Sequence, residues 1–181
     1  GVTITKDAIL GPDGTPLGGA TDVATLTALG VPVQIHSEIV ARRAANNAGG
    51  GSPIVEVMAG PISVDCPGPV RVRVDSAVRK AGAPDVDLYF RVNGNQTPPI
   101  LVGGHSYFAD AFLGNFPENE LMPYTREITV NTEPGVHTFD FAAIVFAGTD
   151  FDMGANIGSR FTVYTAPPDT AFDMPGPIAA P

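Results

Sequence analysis

Carboxylate and amide oxygens occur at alternate positions at Asp150, Asp152 and Asn156, with Gly154 at the position between the last two. Hard oxygen ligands so spaced, in a segment that also holds glycine, are typical of Ca²⁺-binding loops. However, Gly154 stands at the wrong position for an EF-hand and no closing glutamate follows. The same residue types also form ordinary turns without any ion. We therefore predict a turn over residues 149–159, with calcium at these three residues as the alternative and no resident metal otherwise.

The closest approach to a nucleophile motif is Gly-His-Ser-Tyr-Phe at residues 104–108. It resembles the Gly-x-Ser-x-Gly elbow, but Phe108 replaces the last glycine, and that elbow needs a strand–turn–helix in a parallel sheet. The single cysteine, Cys66, is expected to be a small buried side chain. The three histidines lie far apart, and His137 is expected to make a structural hydrogen bond. The sequence therefore predicts no enzyme, no catalytic residue and no cofactor.

Aromatic side chains offer a different kind of site. Tyr107, Phe108 and Tyr124 could line a surface that binds a glycan or a partner protein. Such rings more often fill a core or an oligomer axis, because they bury a large area. Both interpretations remain open at this point.

Charge and hydropathy restrict the partners. The chain has 10 basic and 19 acidic residues, a formal net charge of -9, and its arginines form no basic stripe. Nucleic acid is therefore not expected as a partner. No apolar run approaches the length of a membrane span, so we expect no membrane insertion.

Alternating patterns identify the strands. Val70, Val72 and Val74 alternate with charged residues, as in a strand with one buried face. A second such strand ends at Asn93-Gly94, a strong hairpin signal. Residues 137–147 are apolar on both faces, which predicts a central strand covered on both sides. With 21 glycines and 18 prolines marking many turns, these strands predict an all-β, antiparallel β-sandwich over residues 54–165.

The two ends of the chain do not continue this pattern. Residues 1–53 are expected to form an attachment arm and linker, with short helices over residues 22–29 and 38–47. Such helices are marginal alone and need another surface to pack on. Residues 166–181 are rich in proline and are expected to form an extended tail that lies on a partner or on the domain itself.

Four segments of the predicted sandwich carry recognisable motifs: ISVDCPGPVRVRVDSAV (62–78), DVDLYFRVNG (85–94), ITVNTEPGVHTFDFAAIVFAG (128–148) and GSRFTVY (158–164). Together they resemble the jelly-roll domains of tailed-bacteriophage virion proteins, which in turn resemble tumour-necrosis-factor and complement-type head domains. The closest matches are Glu133–Thr138 and Ser159–Val163.

The resemblance implies a jelly roll with a non-enzymatic structural role in a virion, as a minor tail or capsid decoration protein. It implies a homotrimer on the capsid exterior or the tail, assembled in the host cytoplasm and docked on other capsid or tail proteins through residues 1–53. The alternative is a carbohydrate-binding module for host adhesion, and one protein can combine both roles. Fold resemblance is only an association with function.

Overall fold

Strands dominate the architecture. The computed structural model describes residues 3–4, 9–10, 23–47, 49, 51–82, 86–96, 110–111 and 117–181. In chain order the strands are β1 (Thr3–Ile4), β2 (Ile9–Leu10), β3 (Gln34–Val40), β4 (Arg43–Asn46), β5 (Ile54–Cys66), β6 (Val70–Ala81), β7 (Val86–Val92), β8 (Asn95–Gln96), β9 (Asp110–Ala111), β10 (Met122–Thr132), β11 (Gly135–Val145), β12 (Asp150–Met153), β13 (Ser159–Thr165) and β14 (Met174–Ile178). The one helix among the described residues is α1 (Val23–Ala28).

Two sheets carry the fold, and β1 pairs separately with β2. In sheet 1 the long strand β6 pairs with β10 along one edge and with β13 and then β12 along the other. Outside these lie β3 against β13, β4 against β12 and β14 against β10. Sheet 2 has the order β5-β11-β7, with β8 and β9 both paired to β7. All pairs are antiparallel except β10 with β14, so the predicted all-β fold with two antiparallel sheets is confirmed.

The two sheets share one hydrophobic core. On β6, Val70, Val72 and Val74 are fully buried, whereas the charged residues between them are half-buried, as the alternation predicts. These valines belong to the same buried cluster as Phe90 and Phe141 of sheet 2. The two phenylalanine rings meet edge to face, with centroids 4.8 Å apart, a favourable aromatic geometry.

The predicted central strand is confirmed as β11, which lies between β5 and β7. One of its faces contributes Phe139 and Phe141 to the shared core. The other face, on the outer side of sheet 2, carries Ala142 and Ile144, which form a second buried cluster with Tyr89. Both faces are therefore buried, as the apolar pattern indicated.

The hairpin at the end of β7 and the first helix also follow the sequence signals. Asn93 and Gly94 have φ angles of 54° and 70°, the left-handed conformation that a type I′ turn requires at both positions. They connect β7 to β8 with Val92 opposite Asn95. Helix α1 ends where predicted, because Gly30 adopts φ 78°.

Residues 38–40 and 43–46 lie in strands, so the helix predicted over residues 38–47 is wrong. The segment belongs to β3 and β4, which pair with β13 and β12 over their whole lengths. A helix would have presented only a thin apolar face, whereas the strands gain a hydrogen-bonding partner at the sheet edge. Residues 34–46, although placed in the predicted arm, are thus part of sheet 1. The turn predicted over residues 149–159 is likewise interrupted, because β12 lies inside it.

The chain after β13 returns to the domain. Strand β14 runs parallel to β10. Asp173 fixes its start, because its carboxylate accepts a bond from Thr129 N (2.8 Å) and its own N–H donates to Thr129 O (3.1 Å). At the other end, Glu133 N donates to Ile178 O at 2.9 Å. The sequence predicts that this tail lies on a partner or on the domain itself, and in the structure it lies on the domain.

Among the described residues, no helix is long and apolar enough to span a membrane.

Candidate functional site

A polar cavity of about 350 Å³ lies on the outer face of sheet 1, beside the edge strand β4. Strand β12 positions its carboxylates, because Phe151 and Met153 point into the core and Asp150 and Asp152 therefore point outward. In the neighbouring strands Arg79 and Ala44 lie opposite Asp152. The polar residues of the lining are Arg42, Asn46, Arg79, Asn119, Asp150 and Asp152.

Two guanidinium groups converge on Asp152 in this cavity. Its carboxylate, 8 % exposed, accepts bonds from Arg42 Nε at 2.8 Å and Arg42 Nη2 at 2.6 Å, and from Arg79 Nη2 at 2.8 Å. The hydrogen bond to Asp152 raises the pKa of the Arg42 guanidinium above its usual value. Both arginine side chains are about half exposed, so their guanidinium groups also face the cavity and solvent. The carboxylate of Asp152 thus holds two planar, positively charged guanidinium groups in fixed positions.

Asp150 contributes a second carboxylate with different surroundings. Its Oδ1 atom is buried and has no hydrogen-bond partner among the residues that the structure describes. Buried polar atoms without a partner are rare in folded proteins, and an ordered water or ion is one common explanation. The four charged side chains of the cavity balance, since two arginines face two aspartates.

A second depression, of about 550 Å³, adjoins the polar cavity, and Arg42 lines both. Its apolar part comes from Ile39 on β3 and Ile157 in the turn after β12, whose side chains are 55 % and 74 % exposed. The turn packs tightly on β3, since a Cβ added to Gly158 would stand 2.5 Å from Val40 O. The polar cavity and an exposed apolar patch therefore lie side by side.

The three residues of the calcium alternative do not converge. Asp150 and Asp152 line the polar cavity, but Asn156 lines the adjoining depression, in a turn with φ 78°. The Asp152 carboxylate is already occupied by two guanidinium groups, and their positive charges disfavour a cation beside it. Within the described part of the chain, no three His, Cys, Asp or Glu side chains are grouped to hold a metal ion.

The aromatic candidates are separated by the structure. Tyr124 lies on β10, partly buried, with its ring 5.8 Å from Phe141 and packed against the core. Tyr107 and Phe108 lie outside the described residues, as does the whole Gly-His-Ser-Tyr-Phe segment. The aromatic surface therefore remains a prediction, with Tyr124 serving the core.

His137 makes the structural hydrogen bonds that the sequence predicted. It is fully buried, with Nε2 2.8 Å from Glu133 O and Nδ1 3.2 Å from Asn93 Nδ2. Asn93 is fixed in orientation because its Oδ1 accepts from Thr138 N and its Nδ2 also donates to Ala179 O. His137 therefore accepts at Nδ1 and donates at Nε2, which identifies the neutral tautomer with its proton on Nε2. Its ring joins two chain segments through these hydrogen bonds.

Sequence reasoning missed the two arginines of the polar cavity. Arg79 carried a usable signal, because it follows buried Val78 and must point outward on β6. Arg42 carried no such signal, since it precedes Asp152 by 110 residues and was assigned to a helix.

No protein-family model matches this sequence, and no curated protein matches it at a significant level.

Proposed function

We propose that this chain is a non-enzymatic structural protein of a bacteriophage virion, a minor tail or capsid decoration protein with a jelly-roll domain. One observation carries the proposal. The motif segments that resemble phage jelly rolls form strands β6, β7, β11 and β13, with Pro134 in the turn before β11. A sandwich of two antiparallel sheets around one core is the architecture on which a jelly roll is built.

The proposal includes a homotrimer on the capsid exterior or the tail, assembled in the host cytoplasm, with other capsid or tail proteins as partners. Docking occurs through the N-terminal segment. Residues 34–46 pair with β12 and β13, so we assign docking to the residues that precede β3. This shortens the attachment arm that the sequence suggested.

Deletion of residues 1–30 tests the docking role. The deletion retains Val33, whose N–H donates to Thr165 Oγ1 at 3.0 Å and anchors the entry to β3. We expect the shortened chain to keep its thermal unfolding temperature but to be missing from purified virions, as judged by mass spectrometry. The full-length chain should be present in virions and should have the mass of a trimer by light scattering.

Three results would contradict the proposal. These results are absence of the full chain from virions, normal incorporation of the shortened chain, and a monomeric mass for both forms in solution. Thermal unfolding of the shortened chain is the control, because a loss of folding alone would also remove it from virions. A fusion of residues 1–30 to an unrelated soluble domain then decides the matter: it should enter virions if this segment docks.

The second candidate function is carbohydrate binding for host adhesion. The polar cavity on sheet 1 favours it, because arginine, aspartate and asparagine side chains in fixed positions can bond neighbouring sugar hydroxyls as donors and acceptors. Retention of the purified chain on host cell-wall fractions tests this function. Absence of retention would count against it without affecting the structural role.

A further inference from the structure

We infer that the polar cavity and the adjoining depression form one binding site for a neutral saccharide that carries an acetamido group. This inference deepens the second candidate function by naming its site and ligand class. It does not depend on incorporation into a virion.

The charge of the site selects a neutral ligand. Arg42 and Arg79 are balanced by Asp150 and Asp152 within the cavity. An anionic ligand would meet two guanidinium groups already paired with Asp152, and a net protein charge of -9. A cationic ligand would meet the two arginines directly. Without a net local charge, recognition must come from hydrogen bonds and shape.

The hydrogen-bonding groups suit hydroxyls. Arg79 uses only Nη2 in its pair with Asp152, so its remaining N–H groups can donate to a ligand oxygen. Asp150 lines the cavity, one of its carboxylate oxygens is buried without a partner among the described residues, and a carboxylate accepts hydrogen bonds from hydroxyls. A sugar hydroxyl both donates and accepts, so two neighbouring hydroxyls can satisfy Arg79 and Asp150 together.

The apolar half of the site suits a methyl group. Ile39 and Ile157 expose large apolar side chains beside Arg42, at the border of the polar cavity. An acetamido group has a carbonyl oxygen for the arginine and a methyl group for the isoleucines. Burying one methyl group on such a surface strengthens binding about fourfold, a modest but measurable preference over the corresponding hydroxyl.

The small side chains of the wall leave room for the ring. Ala44 and Ala81 lie across the sheet from Asp152 and Asp150, where longer side chains would fill the cavity. The volumes of about 350 Å³ and about 550 Å³ lie in the range typical of small-molecule sites. One sugar ring fits in the polar cavity, and its acetamido group or a second ring fits in the depression.

The test is a titration of the full chain with N,N′-diacetylchitobiose and with cellobiose, followed by amide chemical shifts in two-dimensional NMR. The two disaccharides share the linkage and differ in the acetamido groups. We expect weak saturable binding of diacetylchitobiose, with shifts on β4 and β12, and at least threefold weaker binding of cellobiose.

Two variants and a matched control assign the site. Ala44→Leu places a larger side chain in the cavity at an exposed strand position and should weaken binding about tenfold or more, equivalent to about 1.4 kcal/mol. Ile157→Ser should lower the affinity for diacetylchitobiose to that for cellobiose and leave cellobiose unchanged. Ala171→Leu, at an exposed position that lines neither cavity, should have no effect.

Absence of binding to both disaccharides, equal affinity for both, or binding unchanged by Ala44→Leu would each overturn the inference. Saturable binding with shifts confined to other parts of the fold would also overturn this site, while the adhesion function itself would stand. Retention on host cell walls without binding of either disaccharide would point to a different ligand class. Thermal unfolding of each variant confirms that the fold is retained.

Discussion

A buried ion pair on the outer face of sheet 2 gives the sharpest test of the fold. Arg91 on β7 and Asp140 on β11 lie directly opposite each other. Arg91 Nε donates to Asp140 Oδ1 at 2.6 Å and Arg91 Nη2 donates to Oδ2 at 3.0 Å. This bond to Asp140 raises the pKa of the Arg91 guanidinium above its usual value. The partners differ in exposure, because Asp140 is 4 % exposed and the Arg91 side chain 20 %.

The difference in exposure predicts unequal costs for the two single substitutions. Arg91→Met leaves a carboxylate buried without its cation, and breaking a buried pair in this way costs about 3–5 kcal/mol. We expect about 3 kcal/mol, the lower end, because water reaches the arginine side of the pair. Asp140→Asn leaves a partly hydrated guanidinium beside a neutral oxygen that still accepts a hydrogen bond. Its expected cost is about 1.5–2 kcal/mol, at the low end for a hydrogen bond to a charged group.

The double variant carries the decisive prediction. With Arg91→Met and Asp140→Asn combined, no charge is left buried, so the double variant should be more stable than Arg91→Met alone by about 1 kcal/mol. Urea unfolding followed by far-ultraviolet circular dichroism measures all four free energies of unfolding, and equal m-values confirm that the unfolded states are comparable. Additive costs, or a single Arg91→Met variant no less stable than Asp140→Asn, would refute the reasoning.

Three further predictions concern single residues. Burial raises the pKa of the Cys66 thiol to about 12, so iodoacetamide at pH 8 should label it only in urea, and labelling of the native chain would contradict its placement. Burial alone would raise the pKa of the Asp75 carboxyl, but hydrogen bonds from Arg73 and Thr125 lower it overall. Asp75 therefore stabilises the fold above its unfolded pKa, by less than about 1 kcal/mol because it is partly exposed. This advantage over Asp75→Asn should be lost as the pH falls through the lowered pKa of the folded state, and a pH-independent difference would be inconsistent. Gly158→Ala should lower the free energy of unfolding by about 1–3 kcal/mol, because φ is 77° and the added Cβ would meet the β3 backbone; an unchanged urea midpoint would exclude that contact.

Local patterns were sufficient for several elements because the physics that fixes them is local. Alternation of valine and charge placed β6, and two apolar faces identified β11 as central, since side chains alternate along any strand. Asn93-Gly94 specified its hairpin because these residue types tolerate positive φ. His137 was also predicted correctly as a structural residue.

Residues 38–47 show where local reasoning failed. Their apolar spacing fitted a short helix as well as a strand, and neither is stable alone. Pairing with β12 and β13, more than a hundred residues later in the chain, decided between them. Only a partner brought close by the fold can settle such a weak preference.

The candidate site, like residues 38–47, could not be predicted from local sequence patterns. The sequence alone determined the all-β class, the central strand, the hairpin and the acidic charge, because composition and period-two patterns encode them. Only the tertiary structure brought Arg42 and Arg79 onto Asp152 and set Ile39 beside Ile157. The physical reason is that the side chains of one cavity come from strands paired across the sheet, and strand order is fixed by long-range pairing and by burial of the shared core.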